Sequence, residues 1–419
     1  MTVFMLLIFF VLLVLAMPIG YALIMSSGFA IILTNEIPLI VAVTKIFQPT
    51  QSFPLLAIPF FILSGNIMMG GKLGERLINF ATALVGRRNG GLGQVTVVGC
   101  TVFGGVSGSA VAEASALGSM MIPWQKREGY PPAFSAAAVA ASSVIAGLIP
   151  PSIALILYAV VANQSIAALF MAGVLPGLLL CFGFLIVCSL SGRLRQFPKL
   201  TEKMTWSYLL LVFLKSLPAL MMPVFIVVLL RAGIATPTEV SIIAVTYGAV
   251  VSALIYRDMT LARLYKALVH TAITTGVVML VITSSNLVGY ILTVESVPTL
   301  VANWALETLK NPLLIILMLN LIMLLLGMFL DLPAAILLLG PTFVSIAQAI
   351  GLDLVQLGVM MAVNLSIGLF TPPVGTTLFI ATAISKEPMG RVAKELLPFY
   401  LVSLLVLIMM SYLPSMTIY

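Results

Sequence analysis

Two short blocks of glycine, proline and hydroxyl residues lie inside long apolar stretches of this chain. The first is Gly147-Leu148-Ile149-Pro150-Pro151-Ser152, and the second runs Gly368-Leu369-Phe370-Thr371-Pro372-Pro373-Val374-Gly375-Thr376-Thr377. A proline pair removes two backbone donors and stops a helix from continuing. Each block follows a second cluster of small residues, Gly104-Gly105-Val106-Ser107-Gly108-Ser109-Ala110 and Gly327-Met328-Phe329-Leu330-Asp331-Leu332-Pro333 respectively. The C-terminus of a half-helix offers free carbonyls to a small hard cation, and its N-terminus offers N–H groups to a carboxylate. Hydroxyls serve either partner, and glycine lets the backbone come close.

The candidate residues follow from that chemistry. Ser107, Gly108 and Ser109 with Gly147 and Pro150 form one candidate sodium site. Gly327 and Asp331 with Thr371, Gly375 and Thr376 form its counterpart, and Asn66 and Asn286 are amides placed to brace the two. Ser64, Ser109, Ala110, Ser152, Thr376 and Thr377 are the candidates for contact with an anionic substrate. Small residues also permit close helix packing without binding anything. The recurrence of the clusters in pairs favours binding. Glu113 and Asp331 are the acidic residues set well inside apolar segments, where a charge is costly. They are open to three roles: cation ligand, proton carrier, or acceptor that locks a hairpin. Structural bracing is the preferred one.

The elements that must carry these residues are membrane helices. The chain has 419 residues, 61% hydrophobic and 8% charged, with a mean hydropathy of +1.21. Soluble domains carry about 25% charged residues. Continuous rather than alternating apolar runs select helical spans over a β-barrel. The net charge of +7 is topological, reflecting basic residues held on the inner face, and no basic stripe with exposed aromatics points to nucleic acid. Cys100, Cys181 and Cys188 read as packing residues, and with His270 the one histidine, the chain argues against zinc chemistry. His270 itself reads as an interface residue. No phosphate-binding loop is present, since Gly70-Gly71-Lys72-Leu73 lacks the spacing and the hydroxyl. No catalytic constellation and no organic cofactor are expected; the chain is not read as an enzyme.

Positive charge sets a trace. Residues 3–33 are expected to cross outward, placing the N-terminus in the cytoplasm, and 54–71 to return. Residues 91–123 have basic flanks on both sides and are too short for two crossings of about 20 residues each, so they form a re-entrant hairpin. Residues 133–161 cross outward with a break at Pro150-Pro151, and 166–190 return. An inner-face helix over 203–217 and a crossing over 218–231 follow, with Arg193, Arg195, Lys199 and Lys203 inside; residues 238–256 then return and 272–292 cross outward. Residues 313–349 form a second hairpin and 355–383 a second broken span; 397–414 place the C-terminus in the periplasm.

The two halves match. Ser64-Gly65-Asn66 pairs with Ser284-Ser285-Asn286, Glu113 with Asp331, Pro123 with Pro341, and Pro150-Pro151 with Pro372-Pro373, at an offset of 218 in the hairpins and 222 beyond them. The domains are a first repeat over 1–192, a connection over 193–234 and a second repeat over 235–419. The extra crossing in the connection inverts the second repeat, which brings tips and breaks together near the bilayer midplane, where transporters of this design bind substrate and ion. The fold class is therefore an all-α polytopic membrane protein of two inverted repeats, of the elevator ion-transporter type.

The motifs Ser52-Phe53-Pro54-Leu55-Leu56-Ala57-Ile58-Pro59-Phe60-Phe61, Ser107-Gly108-Ser109-Ala110, Ile149-Pro150-Pro151-Ser152, Gly327-Met328-Phe329-Leu330-Asp331 and Thr371-Pro372-Pro373-Val374-Gly375 resemble, in order and over the whole chain, the large permease subunit of tripartite ATP-independent periplasmic (TRAP) transporters. The resemblance implies sodium-driven symport of organic acids such as dicarboxylates or sialic acid across the bacterial inner membrane. It implies sodium sites at the hairpin tips and helix breaks, and an elevator motion of hairpins and broken helices against a fixed frame. The partners it implies are a separate small four-helix membrane subunit and a periplasmic substrate-binding protein. The alternative within transport is a stand-alone sodium/dicarboxylate symporter, and outside it a channel or scaffold.

Overall fold

The computed structural model describes residues 1–417 except 16, 36, 70 and 200–205. Lys203 and the start of the helix expected over 203–217 lie outside the described residues. Among the described residues every regular element is helical. Many large apolar side chains face outward, Leu401 at 72% and Phe182 at 68% exposure among them. Helices that are apolar on every face are those of a membrane span. Among the described residues six helices are long and apolar enough to cross.

The chain opens with α1 (Thr2–Val14), α2 (Ile19–Thr34) and α3 (Leu39–Phe47), and α4 (Ala57–Met69) follows a 59° bend at Ser52. α5 (Lys72–Val85) leads to a helical hairpin, α6 (Gly91–Ser107) and α7 (Ala110–Arg127), and then to a broken helix, α8 (Pro132–Ser142) and α9 (Ile153–Ala162). α10 (Ile166–Leu194), α11 (Trp206–Arg231) and α13 (Leu261–Val294) are long spans, as is α12 (Pro237–Val250) once a π-helical turn extends it to Ile255; α14 (Val297–Leu309) is short. A second hairpin, α15 (Pro312–Gly327) and α16 (Leu332–Ala349), precedes a second broken helix, α17 (Leu354–Leu369) and α18 (Thr376–Ser385), and α19 (Met389–Tyr412) closes the chain. Hairpin followed by broken helix thus occurs twice.

Local chemistry sets several boundaries. Thr236 and Glu239 form a reciprocal capping box at the start of α12, satisfying two otherwise orphan donors. Thr260 caps α13, accepting from Arg263 N at 3.2 Å. With no proline inside, α13 runs unbroken for 34 residues, about 50 Å at 1.5 Å per residue. Its first end is knotted to the end of α4 and the start of α5: Asp258 pairs with Arg263 at 2.8 Å and accepts from Lys72 N at 2.7 Å, while Arg263 donates to Ile67 O. Its far end is held to α3, where Asn286 Nδ2 donates to Lys45 O at 2.6 Å.

Two expectations are corrected. Residues 3–33 are not one crossing. The Met1 ammonium and Thr2 N bind Glu295 at 2.7 and 2.9 Å, at the far end of α13. Gly20, at the start of α2, packs instead against Leu280 near the middle of α13. The chain descends along α1, breaks at Pro18 and climbs back along α2. At 13 and 16 residues, each helix falls short of the ~20 residues that span a bilayer. The trace placed Met1 and the end of α13 on opposite faces, whereas the ion pair puts them on the same one. The second correction concerns 203–217 and 218–231. From Trp206 onward these are one helix, α11, which carries Pro218 and Pro223 internally.

Candidate functional site

Both hairpin tips rest on helix breaks. In the first hairpin α6 ends in Gly108 at φ +61°, whose N–H donates to Gly104 O at 3.1 Å. A Cβ on Gly108 would strike Pro151 O, and one on Gly104 would lie 2.9 Å from Ala146 Cα. Only glycine at these two positions lets the tip sit on the break. Ser109 then caps α7, accepting from Ala112 N at 3.4 Å, and Ala110 begins the helix, buried. Glu113 lies one turn further on and is fully buried. Its Oε1 accepts from Ser107 Oγ at 3.1 Å, and its Oε2 has no partner among the described residues.

At the first break Ser152 Oγ donates to Gly147 O at 2.6 Å and accepts from Leu155 N at 3.3 Å. It stitches the two half-helices together and is fully buried. Pro150 O faces Gly105 of the hairpin, 3.6 Å from where that glycine's Cβ would stand. Both proline pairs, Pro150-Pro151 and Pro372-Pro373, are joined by cis peptides.

The second tip is joined to the second break by a backbone bond, Gly375 N to Met328 O at 3.3 Å. Gly375 stands at φ +48° with Thr371 O and Leu369 O crowding its α-carbon. Gly327 and Gly368 are in backbone contact. Thr371 Oγ1 donates to Ile367 O at 2.6 Å. Thr377 Oγ1 lies 2.9 Å from Leu369 O and 3.1 Å from Ala140 O, tying the second broken helix to the first. The neighbouring Thr376 Oγ1 is buried with no partner among the described residues. Asp331 precedes α16 and lines a cavity of about 540 Å³ with Tyr21, Gly276 and Pro333.

The two breaks also meet. A Cβ on Gly147 would stand 3.2 Å from Ser366 Oγ and 3.3 Å from Leu332 Cδ2. Ser366 Oγ is buried and unpartnered among the described residues. Its only sequence signal was a serine six residues before the Pro372-Pro373 break. Oxygen atoms in this state, with carbonyls freed by the proline pairs, are the donor set of a hard cation without thiolate or imidazole.

Other candidates sit elsewhere. Ser64 bonds within its own helix, to Phe61 O at 3.1 Å. The adjacent Gly65 is the residue that touches the first tip, against Val106 O and Ser107 Cα. Asn66 Nδ2 donates to Thr271 Oγ1 at 2.9 Å and Asn286 Nδ2 to Lys45 O. Both amides hold α4, α13 and α3 to one another. The three cysteines are free thiols. His270 faces a cavity rather than packing in an interior.

Comparison with known proteins gives a consistent result. The family described as "Tripartite ATP-independent periplasmic transporter, DctM component" matches residues 6–416. The C4-dicarboxylate TRAP transporter large permease protein DctM of Pseudomonas aeruginosa is 37% identical over 374 residues, covering 89% of this chain and 87% of that one. The sialic acid TRAP transporter large permease protein SiaM of Vibrio cholerae is 35% identical over 406 residues, covering 96% and 94%. The crystal structure of the Alcanivorax borkumensis YdaH transporter shares the fold, with a TM-score of 0.60 at 14% identity over 89% of this chain and 87% of that one. These relatives are named as permeases and transporters, not enzymes.

Proposed function

Since this chain belongs to the DctM component family of tripartite ATP-independent periplasmic transporters, we propose that it is the transport-forming large subunit of a sodium-coupled organic-acid importer. Membership makes it a multi-pass membrane protein and a secondary transporter subunit. The relatives' names point to small organic acids, a C4-dicarboxylate in one case and sialic acid in the other. The partners proposed are a separate small membrane subunit and a periplasmic binding protein that delivers the substrate.

The observation that carries the ion coupling is the seating of each hairpin tip on a proline break, with buried hydroxyls at Ser366 and Thr376 left without partners. One sodium ion is proposed at Ser107, Ser109 and the Gly147–Pro150 break, and a second at the Gly327 tip with Thr371, Gly375 and Thr376. Hairpins and broken helices move as one body along a frame of α4, α11, α12 and α13. Contacts between the two breaks support that division.

The test is thermal unfolding of the purified chain in sodium against potassium or choline at equal ionic strength. A ligand at a hundred times its dissociation constant adds about 2.7 kcal/mol. Sodium-specific stabilisation, lost in Ser109→Ala and Thr376→Val, is expected. An equal melting temperature in all three salts would rule the ion sites out.

A further inference from the structure

Two cavities open near opposite ends of α13. Toward its first end, about 520 Å³ lies between the frame and the first hairpin, lined by Asn66, Ser115, Ser119, Arg263, Lys266 and His270. Toward its far end, about 350 Å³ lies between the frame and the second hairpin, with Lys45, Gln48, Ser285, Asn286, Tyr290 and Pro341 in its wall. Lys266 and Tyr290 are separated along α13 by about 36 Å at 1.5 Å per residue. That exceeds a hydrocarbon core of about 30 Å, so the cavities belong to opposite membrane faces.

Asn66 pairs with Asn286 in the match between the halves of the sequence, and each amide lies in the wall of one cavity. Each cavity also holds one lysine with no carboxylate partner among the described residues. Lys45 Nζ donates to Gln48 Oε1 at 3.1 Å and lies 4.8 Å from the Tyr290 ring centre. Asn286 anchors the Lys45 backbone. Lys266 stands one turn beyond Arg263, whose own charge is neutralised by Asp258. No acidic residue lines either cavity. With a lysine in its wall and no acidic side chain beside it, each cavity carries net positive charge and attracts an anion.

We propose that Lys45 and Lys266 are a pair of anion-docking residues, one per face, that meet the carboxylate of the substrate on entry and on release. The proposal rests on the importer reading for the identity of the anion, but the charge assignment stands on the cavities. Lys266 sits on α13 of the frame and Lys45 on α3, which Asn286 fastens to α13; both lie apart from the ion sites, so each acts on one face only.

The test uses single-cysteine reporters, Thr293→Cys in the far cavity and Ser119→Cys in the other, in the chain assembled with its membrane partner and with Cys181→Ala as background. The probes are an anionic sulfonatoethyl and a cationic trimethylammonioethyl methanethiosulfonate. Lys45→Met is expected to lower the anion-to-cation rate ratio about tenfold at Thr293→Cys and leave Ser119→Cys unchanged. Lys266→Met is expected to do the reverse, and Lys45→Arg to retain the ratio. Ratios unmoved by both methionine variants would overturn the proposal even where uptake is normal. Charge-dependent ratios in a complex that takes up no organic acid would overturn the importer reading and leave the docking assignment standing.

Discussion

The Ser107 hydroxyl donates to Glu113 Oε1 at 3.1 Å across the tip of the first hairpin, and the same hydroxyl accepts from Ser109 N at 3.4 Å. The pair closes the tip from within and leaves Glu113 Oε2 free. Glu113→Ala strands a buried hydroxyl and is expected to lower stability by about 1–3 kcal/mol. Glu113→Gln keeps an acceptor and loses less. Thermal unfolding separates the two, and sodium titration adds a second reading. If the carboxylate is itself an ion ligand, the Gln variant loses the sodium response with little change in melting temperature.

Gly108 and Gly375 carry positive φ with backbone oxygens crowding the α-carbon, whereas a Cβ on Gly390 meets nothing. The left-handed conformation alone costs about 1–2 kcal/mol for an L-residue. Gly108→Ala and Gly375→Ala are therefore expected to be strongly destabilising and Gly390→Ala neutral, measured by melting temperature in one detergent.

A buried amide relay ties α17, α15 and α19 together. Asn364 Nδ2 donates to Asn320 Oδ1 at 2.8 Å, and Asn320 Nδ2 to Ser411 Oγ at 3.0 Å. Asn364→Ala is expected to cost about 1–3 kcal/mol. The double variant with Asn320→Ala should cost less than the sum of the singles, since the two share one network. Additive losses would show that the relay is not a unit.

The N-terminal ammonium first, and Thr2 after it, hold the Glu295 carboxyl down to about 2. A depressed carboxyl stabilises the contact above its ordinary range, near pH 4.3, and the stabilisation is lost as pH falls towards the folded value. Hydrogen exchange in α1 is expected to be flat from about pH 7 to 5 after correction for intrinsic rates, with protection falling below about pH 4. Glu295→Gln should show weaker protection throughout and no such fall.

The tips and breaks were legible because their signals are local. A proline pair cannot continue a helix wherever it lies, and Gly108 and Gly375 mark turns by themselves. The first thirty residues were not legible in the same way. They hold enough apolar side chains for a full crossing; the chain breaks at Pro18 and folds back, and the docking of Met1 on Glu295, almost three hundred residues away, reveals on which face it starts. α11 failed in the opposite sense, since Pro218 and Pro223 are tolerated inside one membrane helix. Asn66 and Asn286 were found by their recurrence, but their partners, Thr271 and Lys45 O, are products of packing. Ser366 and Lys45 gained meaning only once Gly147 and Tyr290 were seen beside them.

α13 forms part of the wall of both cavities, as an unbroken rod with Lys266 near one end and Tyr290 near the other. Chambers that share a rigid wall, and whose opposite walls belong to one connected body, cannot change size independently. Any slide of that body along the rod enlarges one chamber as it shrinks the other. In the sodium-coupled slide proposed above, simultaneous opening would leak the gradient, and the stiffness of a single helix would prevent it with no separate latch.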